Sequence, residues 1–212
     1  MPKKKRKVGS GRYFFYIKYL MPSANHAFLA GRCIACLHGF ISGPKITNSG
    51  IGVSFPSWAT GTVGDSIAFV SKDINSLSYL SSARYFKNMA DEGFIDVSDI
   101  KMVPETLEEV RFIRNQHIAK SFPGEIKRRL IRSKNRAEKR GETFMPSSAV
   151  SDRFVDQCHV IPIDSRSSGQ RFPLYVQLEA LGEESKYDNY NSYGLATQHT
   201  HSGTVPNLKQ IT

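Results

Sequence analysis

The sequence predicts an α+β protein in two parts, and three observations support this expectation. Residues 12–103 alternate between β-rich segments and segments with helical apolar spacing. The rest of the chain has several short β-rich segments and one long basic helix. Hydrophobic residues make up 40% of the 212-residue chain and aromatic residues 11%, which is enough for packed cores. No apolar run approaches the roughly 18 residues that a membrane span requires.

The first part contains six predicted elements. Aromatic and β-branched residues predict strands, and apolar residues three or four positions apart predict helices. The elements are a strand at 12–21, a helix at 24–40, strands at 51–55 and 66–70, a helix at 74–89 and a strand at 94–103. This β-α-β-β-α-β order is that of the ferredoxin-like motif, so we predict a ferredoxin-like domain over residues 12–104. Pro104 marks the boundary with a second α+β domain, residues 105–212.

The second domain is predicted to combine short strands with the basic helix. Strand character is found at 110–116, 158–164, 171–178 and 193–195, and Pro162 fits only an edge strand. Polar segments at 143–155 and 183–191 predict loops. Pro123 is typical of the first turn of a helix, and Gly141 is typical of a residue that ends one. The long helix is therefore expected between these two residues.

The basic residues are concentrated in this helix. Residues 120–141 carry nine basic and two acidic side chains, in a chain whose net charge is +10. Four arginines follow one another at four-residue spacing: Arg128, Arg132, Arg136 and Arg140. A charge run usually indicates a solvated surface helix, but such helices mix opposite charges at this spacing. Like charges repel here unless a polyanion lies alongside, so the helix predicts nucleic-acid binding.

Two further features are an apolar face on this helix and a basic segment at the start of the chain. Ile126, Leu130 and Ala137 form an apolar face that could seat the helix on a sheet. MPKKKRKV at residues 1–8 resembles a nuclear localisation signal of the large T-antigen type, and the GSG that follows resembles a cloning linker. We therefore interpret residues 1–11 as an engineered tag that is not part of the fold.

Few side chains point to chemistry by their spacing alone. Cys33, Cys36 and Cys158 form no disulfide framework and indicate a reducing compartment. The Cys33-x-x-Cys36 pair lies in a predicted helix without a second ligand pair, so core packing explains it better than a zinc or redox site. The acidic residues fall where surface turns are expected, and no two-metal carboxylate cluster is apparent.

His38 is the strongest catalytic candidate. It lies at the C-terminal end of the first predicted helix, where the helix macrodipole favours an imidazolium. Histidine is the usual acid–base group when RNA is cleaved without a metal, because it exchanges protons near neutral pH. A lone histidine is nevertheless more often structural, and the same holds for His26, His117 and His159.

Six short motifs favour the catalytic interpretation of His38 over the structural one. They are LHGF at 37–40, IGVSFP at 51–56, RNQ at 114–116, KRRLIR at 127–132, SRSSGQRF at 165–172 and YGL at 193–195. In this order and spacing, over nearly all of residues 12–206, the chain resembles the CRISPR-associated endoribonuclease that cuts precursor guide RNA in type I-F systems. The longer helix end and the EKRGE stretch resemble the branch of that subtype that is associated with Tn7-like transposons.

The resemblance implies roles for individual residues. His38 matches the catalytic histidine, Ser165 the serine that positions the 2′-hydroxyl, and Tyr193 the tyrosine that orients the histidine. Such enzymes need no metal or other cofactor, because the 2′-oxygen attacks the adjacent phosphate and leaves a 2′,3′-cyclic phosphate and a 5′-hydroxyl. The matched RNA-binding residues are Arg114, Gln116, Lys127, Arg128, Arg129, Arg132, Arg136, Ser167, Ser168 and Phe172.

Among these, the arginine helix is implied to enter the major groove of an RNA hairpin. A short stem beside a loop can open enough for this, although an A-form major groove is normally too narrow. Arg114 and Gln116 are implied to read bases near the stem, and Phe172 to stack on its last base pair. Ser133 stands where the family often has another arginine, and Arg136 one turn later is a possible replacement.

Together these implications predict an endoribonuclease that cuts CRISPR precursor RNA at the 3′ base of the repeat hairpin and keeps the product. It would be the terminal subunit of a type I-F Cascade, the guide-RNA complex. Implied partners are the crRNA repeat hairpin, the Cascade backbone subunit, the fused large and small subunit and a TniQ-type transposition adaptor, with no membrane. The native location would be the bacterial cytoplasm, and the tag would direct the engineered form to the nucleus.

Two other interpretations remain open at this point. A non-catalytic scaffold subunit of the same kind of complex would bind the RNA hairpin without cutting it. A basic DNA-binding regulator is less favoured, because no helix-turn-helix partner pattern accompanies the arginine helix.

Overall fold

The structure is a computed structural model that describes most of the chain. The described residues are 11–43, 50–116, 118, 123–145, 158–164, 169–181 and 187–209, without the side chains of 123–126. Residues 1–10 of the predicted tag and parts of the predicted loops at 143–155 and 183–191 lie outside them. The described strands form two antiparallel sheets joined by helices, so the prediction of an α+β protein is confirmed.

The first sheet is built around its longest strand, β1. Its strands are β1 (Tyr13–Tyr19), β2 (Gly52–Ser54), β3 (Ser66–Ser71), β4 (Ile95–Val97) and β5 (Lys101–Met102). The order is β2-β3-β1-β4, all pairs are antiparallel, and β5 also pairs with β1. Three helices connect these strands: α1 (His26–Ile41), α2 (Ile74–Ser81) and α3 (Arg84–Asp91). The Asn25 side chain caps α1 by accepting a hydrogen bond from the Phe28 backbone N–H.

Two predicted elements of this part are each divided in the structure. The single helix expected at 74–89 is wrong, because the chain is extended at Ala83, between α2 and α3. The Tyr79 carbonyl accepts from the Ser82 hydroxyl at 2.9 Å, whereas the Ala83 N–H, its partner in a continuing helix, donates to the Leu80 carbonyl at 3.0 Å. The strand expected at 94–103 is likewise split into β4 and β5, where the Ser98 hydroxyl accepts from the Tyr16 backbone N–H at 3.0 Å.

The second sheet follows the predicted strands more closely. It contains β6 (Glu109–Arg114), β7 (Cys158–Asp164), β8 (Arg171–Ala180) and β9 (Val205–Pro206) in the antiparallel order β7-β8-β6-β9. β7 is an edge strand, as its Pro162 predicted. The basic helix α4 (Pro123–Lys139) begins at the predicted proline, and Gly141 after it has a φ of 70°.

The end of the chain departs from the prediction. The strand expected at 193–195 is wrong, because these residues form a turn in which Gly194 has a φ of 72°. The chain then runs beside β6, where Ala196 forms an isolated parallel bridge with Ile113. The final strand, β9, was not predicted, since two residues are too few to show a period-two pattern.

One continuous core joins the two sheets. Helix α1 packs against β7 of the second sheet and β3 of the first. At Gly31 there is no room for a Cβ beside the Pro162 carbonyl, so a glycine is needed for this close approach. Phe55 packs its ring on Phe112 with centroids 5.0 Å apart. The division into two domains near Pro104 stays a prediction. Among the described helices, none is long and apolar enough to cross a membrane.

A buried ion pair also links the two halves of the chain. Arg12 is only 1% exposed and pairs with Glu109, which begins β6. The same guanidinium donates to the Thr204 carbonyl at 3.1 Å. A buried charge without a partner is costly, so this pair constrains how the ends of β1 and β6 can be arranged.

Candidate active site and nucleic-acid interface

His38 lies half-buried in the last turn of α1, as the sequence indicated. Its Nδ1 is 3.1 Å from the backbone carbonyl oxygen of Ser192. A carbonyl can only accept a hydrogen bond, so Nδ1 carries the proton and donates it. In a neutral imidazole this leaves the lone pair on Nε2. The structure therefore defines which nitrogen of His38 is available to take a proton from another group.

Tyr193 covers the imidazole. The two rings are stacked, with centroids 4.7 Å apart and an interplanar angle of 18°. Phe172, near the start of β8, meets the same tyrosine edge-on at 6.2 Å. Both aromatic side chains are half-buried, and both pack against the common core. The stacking limits rotation of the His38 ring, which matches the orienting role that the resemblance implies for Tyr193.

Arg114 and Gln116 reach the same place from the end of β6. The Arg114 guanidinium carbon lies 5.0 Å from the centre of the Tyr193 ring. With its amide oxygen turned toward Arg114, Gln116 accepts from Nε at 2.8 Å and from Nη2 at 2.9 Å. Buried Asn115 between them donates to the Gln177 side chain at 3.1 Å. The structure thus brings the predicted base-reading pair beside the predicted catalytic pair.

Strand β7 ends at Asp164, and β8 begins at Arg171. Ser165, Ser167 and Ser168 lie outside the described residues. Asp164, immediately before them, pairs with Arg171 at 2.8 Å and with Arg32 of α1 at 3.7 Å. The hydrogen bond and charge of Arg171 lower the pKa of the Asp164 carboxyl, with a smaller contribution from Arg32. The end of β7 is thereby tied to the same helix that carries His38.

Helix α4 presents its basic residues to solvent. The exposed members of the predicted set are Lys127, Arg128, Arg129, Arg132 and Arg136. Lys134 and Glu138 form an i,i+4 pair at 3.8 Å on an exposed part of the helix. Of the predicted apolar face, Ala137 is buried and Leu130 half-buried. None of the described contacts of the His38 side chain comes from α4.

Cys33 and Cys36 occupy packing positions in α1. Cys33 is buried and Cys36 half-buried within α1. Burial raises the pKa of the Cys33 thiol, which disfavours the thiolate that a metal or redox site would need. No group of three or more histidine, cysteine, aspartate or glutamate side chains that could hold a metal is found in the described part of the chain.

Two other histidines have structural surroundings. The Nε2 atom of His159 lies 2.9 Å from the Ala59 carbonyl oxygen, and the centre of its ring lies 4.2 Å from that of Trp58. His26 packs beside Tyr19 with ring centroids 5.6 Å apart. His117 lies outside the described residues.

One residue at the site was not anticipated. Asn191 precedes the YGL motif, and its side-chain oxygen accepts hydrogen bonds from the backbone N–H groups of Tyr193 and Leu195. An asparagine followed by Ser-Tyr-Gly is typical of a turn, so the turn itself was open to prediction. The contact between this turn and α1 could not be predicted from the sequence, because His38 and Ser192 are separated by 154 positions.

A comparison with known protein families gives a match that covers most of the chain. The model of the family described as CRISPR-associated protein (Cas_Csy4) matches residues 17–208. The matched range includes α1 with His38, all of α4 and the turn that carries Tyr193.

Proposed function

This chain belongs to the Cas_Csy4 family of endoribonucleases that process precursor CRISPR RNA, and from that premise we propose how it binds and cuts its substrate. It cleaves at the 3′ base of the repeat hairpin, with His38, Ser165 and Tyr193 as the catalytic group. The observation that supports this best is the bond from His38 Nδ1 to the Ser192 carbonyl. It places the proton of a neutral imidazole on Nδ1, which leaves the basic nitrogen, Nε2, available to the substrate.

In the proposed reaction Nε2 of His38 takes the proton of the 2′-hydroxyl. The 2′-oxygen forms a bond to the adjacent phosphorus while the bond from phosphorus to the 5′-oxygen breaks. The departing 5′-oxygen takes up a proton, so the products end in a 2′,3′-cyclic phosphate and a 5′-hydroxyl. Ser165 positions the 2′-hydroxyl, and the Tyr193 ring keeps the imidazole in line with it. No step in this sequence requires a metal ion.

We assign recognition of the RNA hairpin to residues other than the three proposed catalytic ones. The arginines of α4 bind the stem through its phosphates and guanine edges, because guanidinium groups match both geometrically. Arg114 and Gln116 read bases next to the scissile phosphate, and Phe172 stacks on the last base pair. Ser167 and Ser168 contribute further contacts. Since the cut lies at the edge of the contacted stem, the hairpin product stays bound.

The wider assignments follow from the family and from the six motifs. The protein is a terminal subunit of a type I-F Cascade, contacting the backbone subunit and the fused large and small subunit. The long α4 and the EKRGE stretch favour the transposon-associated branch, in which a TniQ-type adaptor is a further partner. The strand order β2-β3-β1-β4 supports a ferredoxin-like N-terminal domain. The basic residues at 3–7 support a tag that directs the engineered form to the nucleus.

The proposal is tested with a labelled RNA hairpin that carries the repeat of the native system. The parent protein, His38→Ala and the control His199→Ala, which alters an exposed histidine, are incubated with it in EDTA. We expect the parent and the control to cut, and His38→Ala to cut roughly 10³-fold more slowly, because a general base contributes about 10²–10⁴-fold. All three should bind the hairpin with the same affinity. Mass spectrometry should find a 2′,3′-cyclic phosphate.

Different failures of this experiment have different meanings. Tight binding without cleavage by the parent would leave a hairpin-binding scaffold as the function. Cleavage that EDTA abolishes would contradict the reaction written above. Equal competition by duplex DNA at fixed salt would point to a DNA-binding protein instead.

A further inference from the structure

The turn at residues 191–195 is closed by one side chain. The Asn191 side-chain oxygen accepts from the Tyr193 N–H at 2.8 Å and from the Leu195 N–H at 3.2 Å. The backbone adds two bonds, from the Asn191 N–H to the Leu195 carbonyl and from the Gly194 N–H to the Asn191 carbonyl, both at 2.9 Å. Asn191 therefore determines the shape of the turn through both its side chain and its main chain.

The position of the turn is set by both sheets. The Gly194 carbonyl accepts from the Val53 N–H of β2 at 2.8 Å. Two residues after Gly194 the chain joins β6, where the Ala196 N–H donates to the Phe112 carbonyl at 3.0 Å and the Ala196 carbonyl accepts from the Arg114 N–H at 2.8 Å. Because these bonds fix the position of the turn, the direction of the Ser192 carbonyl toward His38 on α1 depends on the internal geometry of the turn.

A single peptide unit carries that geometry to His38. The Ser192 carbonyl, which accepts from His38 Nδ1, and the Tyr193 N–H, which donates to Asn191, belong to the same peptide group. A trans peptide is planar and rigid, with its C=O and N–H pointing in opposite directions. The described chain contains no cis peptide bond. When Asn191 holds the N–H edge of this plane, the C=O edge is held toward the imidazole.

The acceptor of Asn191 is the atom that matters here. Its oxygen faces two N–H donors, so turning the amide over would place N–H against N–H. Its amide nitrogen is buried and has no hydrogen-bond partner within the described residues. A side chain that offers only an acceptor at this position, such as aspartate, therefore preserves the bonds on which the turn depends.

We propose that Asn191 is a positioning residue that selects the tautomer of His38 through the Ser192–Tyr193 peptide. It keeps the proton of the neutral imidazole on Nδ1 and the lone pair on Nε2. Without the Asn191 acceptor the peptide plane is released, the Ser192 carbonyl no longer faces Nδ1, and the imidazole loses its single preferred tautomer. The effect on cleavage rests on the proposed function, whereas the effect on the tautomer does not.

The first readout is the tautomer itself. In ¹⁵N-histidine-labelled protein at about pH 9, where imidazoles are neutral, the chemical shifts of Nδ1 and Nε2 show which nitrogen is protonated. The His38→Ala protein identifies the His38 signals. We expect the parent and Asn191→Asp to show protonated Nδ1, and Asn191→Leu, of similar size but without an acceptor, to show a mixture. Asn189→Ala is the matched control, because Asn189 donates from its side chain to the Thr200 carbonyl and not to the turn.

The second readout is the cleavage rate of the bound hairpin. We expect Asn191→Leu to cut roughly 10- to 100-fold more slowly, by analogy with the loss of a group that orients a metal-bound histidine. Hairpin affinity should stay within about threefold, since the bonds of Asn191 described above go to the backbone of its own turn and not to a proposed RNA-binding side chain. Asn191→Asp should recover most of the rate.

The two readouts separate the possible failures. If Asn191→Leu keeps protonated Nδ1 and the parental rate, the positioning role is wrong. If Asn191→Asp and Asn191→Leu both show a mixture of protonated Nδ1 and protonated Nε2, the side-chain acceptor at position 191 does not determine the tautomer. If the tautomer changes as expected and the parent protein cuts no hairpin, the positioning role holds and the proposed function fails. Should a melting curve show that Asn191→Leu is unfolded, Asn191→Ala replaces it in both measurements.

Discussion

Around His38 the side chains are held by contacts from β6, β8 and the turn at 191–195, whereas the described arginines of α4 face solvent. The imidazole is bonded to the Ser192 carbonyl and stacked on Tyr193, and Tyr193 in turn contacts Arg114 and Phe172. On α4, by contrast, Arg128, Arg129, Arg132 and Arg136 are all exposed.

The difference corresponds to the role that we propose for each region. Proton transfer requires atoms placed to within about 0.5 Å, which only a packed and hydrogen-bonded surrounding provides. Binding to phosphates depends mainly on charge and tolerates variation in position. Arginines at four-residue spacing destabilise the isolated helix, and in the proposed function the RNA backbone relieves that repulsion. On the proposed function, the chemistry is built into the fold and part of the binding surface is completed by the RNA.

The largest effect that separates the two regions is expected from removing three arginines of α4. In Arg128→Ala/Arg132→Ala/Arg136→Ala, hairpin affinity should fall roughly 10³-fold, and the salt dependence of log K should become shallower by about 2 to 3. The cleavage rate at saturating RNA and the melting temperature should not change. Lys134→Ala, which removes one charge paired with Glu138, is the control and should weaken binding only slightly. A triple variant that binds within about fivefold of the parent would show that α4 is not the main binding element.

A second prediction compares two glycines with positive φ. Gly194 has a φ of 72°, and a Cβ there would lie 2.8 Å from Leu37 Cδ2 and 2.7 Å from Val53 Cγ2. Gly141, after α4, has a φ of 70° with nothing within 4 Å of such a Cβ. We expect Gly194→Ala to lower the free energy of unfolding by about 2–4 kcal/mol, from strain plus overpacking.

Gly141→Ala should lower the free energy of unfolding by no more than about 1 kcal/mol, because the end of α4 can fray without opening the core. Urea denaturation followed by fluorescence measures both variants. Equal losses in the two would mean that α4 is as tightly coupled to the fold as the turn near His38.

A third prediction concerns Tyr193, where two substitutions separate the ring from its hydroxyl. Tyr193→Phe keeps the stacking on His38 and should cut within about threefold of the parent. Tyr193→Leu loses it and should cut roughly 10- to 30-fold more slowly, since the imidazole is then less restricted. Single-turnover cleavage at saturating hairpin measures this separately from binding. A rate loss of the same size in Tyr193→Phe would assign the role to the hydroxyl.

The fold was predictable where the signals are local. Pro123 and Gly141 define the ends of α4 by their own backbone preferences, and the structure follows both. Pro162 indicated an edge strand for the same reason. The break between α2 and α3 was missed because the apolar spacing of the segment continues across it, although the Ser82 hydroxyl takes the place of one helical hydrogen bond.

The candidate site was predictable in part. His38 stood out by its position at a helix end, while Tyr193 and Phe172 came from resemblance alone and would otherwise pass as core aromatics. Asn191 was not recognised, because an asparagine in a turn is ordinary until the partner of the next carbonyl is known.

Neighbouring residues encode the properties that were predictable from the chain alone: the charge of α4, its first and last turns, and the strand character of β6 to β8. The properties that required the folded molecule are contacts between distant segments. The hydrogen bond of His38 Nδ1 joins residues that are 154 positions apart, and the ion pair of Arg12 with Glu109 joins residues that are 97 positions apart. Such contacts depend on how two sheets and a helix pack together, and no local pattern specifies which backbone carbonyl will face an imidazole.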